Sequence, residues 1–157
     1  MKLDLLNRKN VIRVKEYLSK YDPNFKLIVL DDTARTANEA AQSINKEVGA
    51  IIKSLIFKTN ENEMILCLVS GDKFISLKKV SLIINKKITK ASAEEVKKYS
   101  GFSIGGVPPV AHNIEPMQIL IDKNLERFEK IYGAAGHPYV IFETSFNKLC
   151  EITKGKV

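Results

Sequence analysis

Lys53 is the residue whose surroundings most directly suggest chemistry. It lies in the apolar segment Ile51–Thr59, whose alternation is typical of a β-strand and places Lys53 on the face shared by Leu55 and Phe57. Ser54 falls on the opposite face. Because lysine is rarely buried without a partner, the ammonium group binds a ligand, protects a strand edge or extends to the rim of the core. The pattern alone leaves these three interpretations open.

A loop rich in glycine and proline, Gly105–Pro109, is the second candidate. Its glycines allow the backbone to approach a ligand closely. Pro108 and Pro109 carry no N–H, so the donors available to a substrate oxygen are the amides of Gly105, Gly106 and Val107. Converging amides can stabilise the negative charge that develops on such an oxygen. A rigid structural turn is the alternative interpretation.

The histidines and cysteines give weaker signals. His112 and His137 each follow a glycine-rich segment, a position that suits either the mouth of a pocket or a structural role. Cys67 lies between two leucines and is predicted to be a core residue, while Cys150 lies near the C-terminal end of the sequence, and both thiols are predicted to be inert. Two cysteines predict neither a disulfide framework nor a metal cluster. We therefore expect no metal and no cofactor.

The charge of the chain points towards polyanions. Lys and Arg number 25 against 18 Asp and Glu, a net charge of +7, and residues 73–98 hold eight lysines against two glutamates. This lysine-rich segment would attract nucleic acid, although an ordinary solvated surface is the alternative. The chain has no Trp, and aromatic residues do not alternate with the lysines, so no platform for stacking single-stranded bases is predicted.

Several classes of protein are disfavoured by what the sequence lacks. There is no G-x-S-x-G, H-E-x-x-H, P-loop or G-x-G-x-x-G motif, which argues against triad hydrolases, zinc hydrolases and nucleotide-dependent enzymes. No apolar run approaches the roughly 20 residues that cross a bilayer, and residues 1–7 lack the apolar stretch of a signal peptide. The length of 157 residues suits one domain. We expect a cytoplasmic protein.

The elements that must position these residues can be predicted from periodicity and caps. Capping boxes at Thr36–Glu39 and Ser92–Glu95 begin two helices, which should end at Gly49 and Gly101. The other predicted helices cover residues 7–20, 78–84 and 145–149, and the predicted strands cover residues 26–30, 51–59, 63–70, 74–77, 118–121 and 139–142. A helical or looped stretch and the glycine-containing segment 133–136 are predicted to separate the last two strands. The mixture favours an α+β (mixed α/β) single domain over a doubly wound sheet.

Taken in order, five segments resemble one family. They are 36–41 (TANEAA), 52–57 (IKSLIF), 69–72 (VSGD), 101–109 (GFSIGGVPP) and 134–136 (AAG). Together they resemble the YbaK/EbsC-like proteins, which are related to the editing domain inserted in bacterial prolyl-tRNA synthetases. The resemblance implies a single domain over residues 1–157, with a mixed, barrel-like β-sheet flanked by helices. It also implies a free-standing aminoacyl-tRNA deacylase. Its partners would be aminoacyl-tRNA and, through transient contact, an aminoacyl-tRNA synthetase.

The same resemblance assigns roles to particular residues. Lys53 becomes the functional lysine, and Gly105–Pro109 becomes the G-x-x-x-P loop, with the amides of Gly105, Gly106 and Val107 acting on the ester. Further substrate contacts are expected from Ser54, Pro108, Pro109, His112, Gly136 and His137. The substrate would be a small amino acid (Ala, Ser, Thr or Cys) on a wrong tRNA, tRNA-Pro among them. An inactive tRNA-binding or regulatory module is the alternative, and a small-molecule hydrolase using Cys67 or Cys150 is disfavoured.

Overall fold

Side-chain caps at Thr36 and Ser92 fix where two of the helices begin. The structure, a computed structural model, describes residues 2–157, and Met1 lies outside them. The Thr36 hydroxyl accepts from the Glu39 amide at 3.1 Å, the Ser92 hydroxyl accepts from the Glu95 amide at 3.2 Å, and both glutamates accept from the cap amides in return. Both predicted capping boxes are confirmed. Helix 93–100 ends at Gly101 in the left-handed conformation, as predicted.

The described residues form α-helices and β-strands that are intermixed along the chain. The helices are α1 (Lys2–Leu6), α2 (Lys9–Ser19), α3 (Ala37–Ile44), α4 (Leu77–Ile84), α5 (Ala93–Ser100) and α6 (Phe146–Thr153), with 3₁₀ turns at Val48–Ala50 and Lys123–Arg127. The strands are β1 (Lys26–Val29), β2 (Ile52–Thr59), β3 (Met64–Ser70), β4 (Ile88–Lys90), β5 (Gln118–Ile121), β6 (Ile131–His137) and β7 (Val140–Thr144). The predicted mixed α/β class is confirmed.

Two sheets carry these strands. One has the order β1-β7-β6 and is antiparallel throughout, and the other has the order β4-β2-β3-β5, in which β3 and β5 run parallel. The two sheets meet where Ile51, just before β2, forms a parallel bridge with Tyr132 of β6. The start of β2 therefore lies beside β6, and this seam positions the candidate site.

Alternation along β2 and β3 separates two apolar layers. Ile52 and Ile56 pack in the main core with helix α2 and strand β7, whereas Phe57 packs on the opposite face with Val80 of α4. Every residue of β3 is buried because both faces of this strand are covered. Lys53, one residue beyond Ile52, is therefore on the α4 side, as the period of two predicts.

Three local predictions were wrong. Helix α3 ends at Ile44, because Asn45 takes the left-handed conformation, and Gly49 instead lies in a 3₁₀ turn packed against the Phe128 ring. Residues 74–77 form no strand, since α4 begins at Leu77 with the Ser76 hydroxyl as its cap. Residues Ile131–His137 form β6, where the sequence predicted no strand. Strand β4 was not predicted at all.

Candidate functional site

The glycine-proline loop is seated on the end of β6. The Gly106 carbonyl accepts from the Gly136 amide at 3.0 Å, and a Cβ on Gly106 would lie 2.9 Å from the His137 nitrogen. Only glycine allows this approach. The Gly106 amide itself donates to the Ser103 carbonyl at 3.0 Å. This bond corrects the prediction that the Gly106 amide is a donor for substrate, although the loop and the Gly136–His137 segment do lie together.

Two loop amides are left for a ligand. Within residues 2–157, neither the Gly105 amide nor the Val107 amide donates to a protein acceptor. Val107 is buried, and buried N–H groups are almost always paired in folded proteins. Gly105 has a φ of +99°, which favours glycine, and a Cβ there would lie 3.2 Å from Cγ of Arg35. These two amides are the donors that the loop can offer to an oxyanion.

His112 is hydrogen-bonded to the backbone of the Gly105–Pro109 loop. Its Nε2 is 2.7 Å from the Pro108 carbonyl, and its ring packs 6.1 Å from the Phe102 ring. Burial lowers the pKa of His112, so the ring is neutral near pH 7 and donates its Nε2 proton to that carbonyl. His112 therefore positions the loop through Nε2, and a substrate contact from this residue stays a prediction.

His137 presents a free nitrogen edge beside the loop. Its Nδ1 accepts from the Tyr139 amide at 3.1 Å, so a neutral ring carries its proton on Nε2. Burial lowers the pKa of His137, and the nearby positive charges of Arg8 and Arg35 lower it further. The result is a neutral imidazole whose Nε2–H can donate to a substrate.

Lys53 sits at the start of β2 beside an exposed turn. Its ammonium donates to the Lys73 carbonyl and lies 5.0 Å from the centroid of the Phe74 ring. Burial lowers the pKa of Lys53, while the carboxylates of Asp72 and Asp122 oppose that shift. The side chain is half-buried and has no direct carboxylate partner among the described ion pairs, which suits a cation that meets an anionic ligand.

The turn next to Lys53 is locked by a polar network that sequence reasoning missed. Asp72 accepts from Arg127 at 2.8 Å and from the Ser70 hydroxyl at 3.0 Å, and the Ser70 amide donates to Asp122 at 3.0 Å. The Arg127 hydrogen bond holds the pKa of Asp72 below its usual range. Because Arg127 is 55 residues away in the chain, no local sequence pattern could have identified it.

One short segment, Arg35–Ala37, lies between the turn at Gly71 beside Lys53 and the Gly105–Pro109 loop. A Cβ on Gly71 would lie 3.1 Å from Cβ of Ala37, and a Cβ on Gly105 would lie 3.2 Å from Cγ of Arg35. Arg35 and Ala37 are two residues apart, so their Cα atoms are at most about 7 Å apart. The first turn of α3 therefore lies between the two features. The sequence feature that could have drawn attention to Arg35 is its position directly before the helix cap Thr36.

The remaining predicted contacts are Ser54, Pro108 and Pro109. Among the described residues, the Ser54 hydroxyl is buried without a hydrogen-bond partner, which leaves it free for a ligand or a water. Pro108 and Pro109 are buried too, and the Pro109 ring packs against Gly133 of β6. Ser54 and Lys53 are neighbours on β2 and therefore face opposite sides of the strand. The contacts described here do not bring their side chains together.

Two cavities lie away from Lys53. A cavity of about 550 Å³ opens behind the loop and includes Pro109 and His112 in its wall, and one of about 420 Å³ lies between β7 and α6. Within the described part of the chain, no group of three His, Cys, Asp or Glu is placed to hold a metal ion. In that same part, no helix is long and apolar enough to span a membrane.

The lysine-rich segment is largely exposed. Of its eight lysines, Lys86 is paired with Glu61 at 3.4 Å and Glu63 at 2.5 Å, and the other seven are exposed. Lys73, Lys78 and Lys79 lie between the Asp72 turn and the first turn of α4. A positive surface thus begins directly beside Lys53.

The mixed α/β fold is that of an editing domain. The chain belongs to the family described as the aminoacyl-tRNA editing domain, whose model matches residues 31–152. A solved structure of a candidate trans-editing enzyme for prolyl tRNA synthetase is similar, with 34% identity, a TM-score of 0.88, and coverage of 96% of this chain and 95% of that one.

Two curated relatives extend this comparison. The YwhH protein of Bacillus subtilis (strain 168) is 27% identical over 144 residues, which cover 92% of this chain and 91% of that protein. Proline--tRNA ligase of Limosilactobacillus fermentum is 28% identical over 121 residues, which cover 73% of this chain and 21% of the ligase. The chain thus matches about a fifth of the ligase. The resemblance to YbaK-like editing domains is confirmed.

Proposed function

We propose that this protein is a free-standing aminoacyl-tRNA deacylase. It hydrolyses the ester that joins a small amino acid (Ala, Ser, Thr or Cys) to a wrong tRNA, with tRNA-Pro as a candidate, and residues 1–157 act as one domain in the cytoplasm. Support comes from the editing-domain family and from the similarity to the candidate trans-editing enzyme over nearly the whole chain. Transient contact with a synthetase is part of the same proposal.

The observation that carries the proposal is the position of the Arg35–Ala37 segment. It touches the Gly105 loop on one side and the Gly71 turn beside Lys53 on the other. A charged 3′ end placed against this segment would meet amide donors and an ammonium group at the same time.

The chemistry follows from these groups. A water oxygen attacks the ester carbonyl carbon, the bond from that carbon to the ribose oxygen breaks, and a proton passes to the departing ribose oxygen. The amides of Gly105 and Val107 stabilise the charge on the carbonyl oxygen. Lys53 holds the terminal phosphate or the ribose oxygens, and the neighbouring ribose hydroxyl of the substrate orients the water.

Ser54 and His137 are proposed to contact the substrate. The unpartnered Ser54 hydroxyl and the Nε2–H of His137 are polar groups that the described residues leave unsatisfied. Gly136, directly before His137, has a φ of +93°, which favours glycine, and a side chain there would also meet the Asn10 carbonyl. Selectivity among amino acids is proposed to depend on pocket size. A hydrophobic pocket discriminates between substrates that differ by one methylene by only about 10- to 200-fold.

A panel of tRNAs charged with Ala, Ser, Thr and Cys tests the proposal. Wild-type protein should release at least one of these amino acids, and Lys53→Ala should lower the rate on the order of 10²-fold, the cost of one electrostatic group in such a site. Lys87→Ala is the matched control, because Lys87 is an exposed lysine of the same basic segment. Equal rates for wild type and Lys53→Ala would remove the lysine from the mechanism.

The exposed lysines also favour a second candidate, an inactive tRNA-binding module. Such a module would bind uncharged tRNA with an affinity that falls steeply with salt. It would leave all four esters intact in the same panel. Binding that does not change with salt would argue against both functions.

A further inference from the structure

The Phe74 ring is unusually exposed for an aromatic side chain beside a candidate site. It is 95% exposed, whereas the rings of Phe57, Phe102 and Phe142 are at most 4% exposed. A phenyl ring gains free energy when it leaves water. Exposure of the Phe74 ring therefore carries a free-energy cost, and a ligand that covers the ring would remove that cost.

The backbone that carries Phe74 is held on both sides. The Lys73 amide donates to the Ser70 carbonyl at 2.9 Å, and the Ser76 hydroxyl caps α4 two residues after Phe74. The Asp72–Arg127 ion pair fixes the same turn. The ring therefore stands on a short, braced segment, which limits the entropy lost when a ligand binds.

The two faces of the ring differ in what they meet. The Lys53 ammonium lies 5.0 Å from the ring centroid, an arrangement typical of a cation–π contact. The remaining surface of the ring is open to solvent. Lysines 73, 78 and 79 lie within five residues of Phe74 in the chain and are exposed, so the partner that matches this positive, aromatic surface is flat, apolar on its face and linked to phosphates.

We propose that Phe74 stacks on the unpaired terminal base of an RNA 3′ end. This inference rests on the proposed function and deepens it by naming the group that binds the substrate's base. Lys53 then contacts the sugar or phosphate of the same nucleotide, and the nearby lysines contact the backbone without reading sequence. Phe74 would then be one stacking residue in a sequence that predicted no platform for stacking bases.

Kinetics of Phe74→Ala provide the first test. Stacking binds the ground state and the transition state alike, so the variant should raise KM on the order of tenfold and change kcat by less than twofold. Phe74→Tyr should restore KM because its ring also stacks. Leu82→Ala is the matched control, since Leu82 is 73% exposed on α4 in the same lysine-rich segment. An unchanged KM in Phe74→Ala overturns the proposal.

A fluorescence measurement separates this proposal from the catalytic one. The chain has no Trp, so Phe74→Trp places a single reporter at the site. An uncharged RNA hairpin with an unpaired 3′ end should quench its emission, and a blunt hairpin of the same stem should not. Leu82→Trp should respond equally to both. Quenching with no deacylation in any assay would support the stacking while refuting the proposed reaction.

Two further outcomes would overturn the stacking role. Equal quenching of Phe74→Trp by overhanging and blunt hairpins would mean that the ring does not distinguish an unpaired base. Sedimentation that shows a wild-type dimer which Phe74→Ala dissociates would assign the ring to a contact between copies of the chain instead.

Discussion

Gly106→Ala tests whether the glycine loop must rest on β6. The added Cβ would lie 2.9 Å from the His137 nitrogen and 3.1 Å from the Gly136 carbonyl carbon, and both are backbone atoms that cannot rotate away. Restoring ordinary contact at 3.4 Å requires the loop to move by about 0.5 Å. The hydrogen bond between the Gly136 amide and the Gly106 carbonyl, 3.0 Å long, would lengthen with that movement.

The size of the effect follows from these contacts. Overpacking costs about 1–3 kcal/mol and a weakened hydrogen bond about 1 kcal/mol, so we expect the free energy of unfolding to fall by roughly 2–4 kcal/mol. A displacement of this kind also moves the amides of Gly105 and Val107. Because a misplacement of 1 Å can cost on the order of 10²-fold in rate, kcat/KM should fall between about 10- and 100-fold.

Urea unfolding and deacylation of charged tRNA measure the two effects. Gly155→Ala is the control, since its Cβ would lie 2.7 Å from Cδ1 of Ile121, the movable end of a side chain, and would meet no backbone atom of the loop. That variant should lose some stability and keep its kcat/KM. A Gly106→Ala protein with the wild-type urea midpoint and wild-type kcat/KM would refute the conclusion that the loop is seated on β6.

Two further predictions concern titratable groups. Since burial lowers the pKa of His112 in the folded state below its ordinary 6.5, its contribution to stability is complete above about pH 6.5 and is lost as the pH falls through the folded pKa. The urea midpoint should therefore fall on acidification from pH 7 to 5, and His112→Gln should reduce that fall; an identical fall in both proteins would contradict the buried neutral ring. Burial also raises the pKa of Cys67 to about 12 and raises that of Cys150, so iodoacetamide at pH 7 should leave deacylation unchanged, and loss of activity that follows labelling of Cys67 would revive a thiol mechanism.

Local sequence signals predicted those parts of the fold that depend on local contacts. The capping boxes at Thr36 and Ser92 and the β2–β3 hairpin are set by neighbours within a few residues, and they are found where expected. Strand β6 was missed because Gly133–Gly136 has low β propensity; it is a strand because small residues let Phe142 and Pro109 pack against it. The end of α3 was misplaced because asparagine also takes the left-handed conformation.

The candidate site was predictable only in part, since its contacts are long-range. Motif residues identified the loop and Lys53 as features, but the Ser103 bond that occupies the Gly106 amide could not be read from composition. Likewise, the roles of Arg127 and His112 depend on which groups the fold brings beside them. The period of two did place Lys53 and Ser54 on opposite faces, a constraint that any mechanism using both must satisfy.

The pairing of β1 with β7 has a consequence for synthesis on the ribosome. Lys26 faces Glu143 and Val29 faces Val140, so the first strand has no partner until more than a hundred further residues have been translated. Contacts so distant in sequence form late and slowly. A nascent chain therefore cannot close this sheet, or place His137 against the loop, before its last strand leaves the exit tunnel, and incomplete chains should be unable to act on charged tRNA.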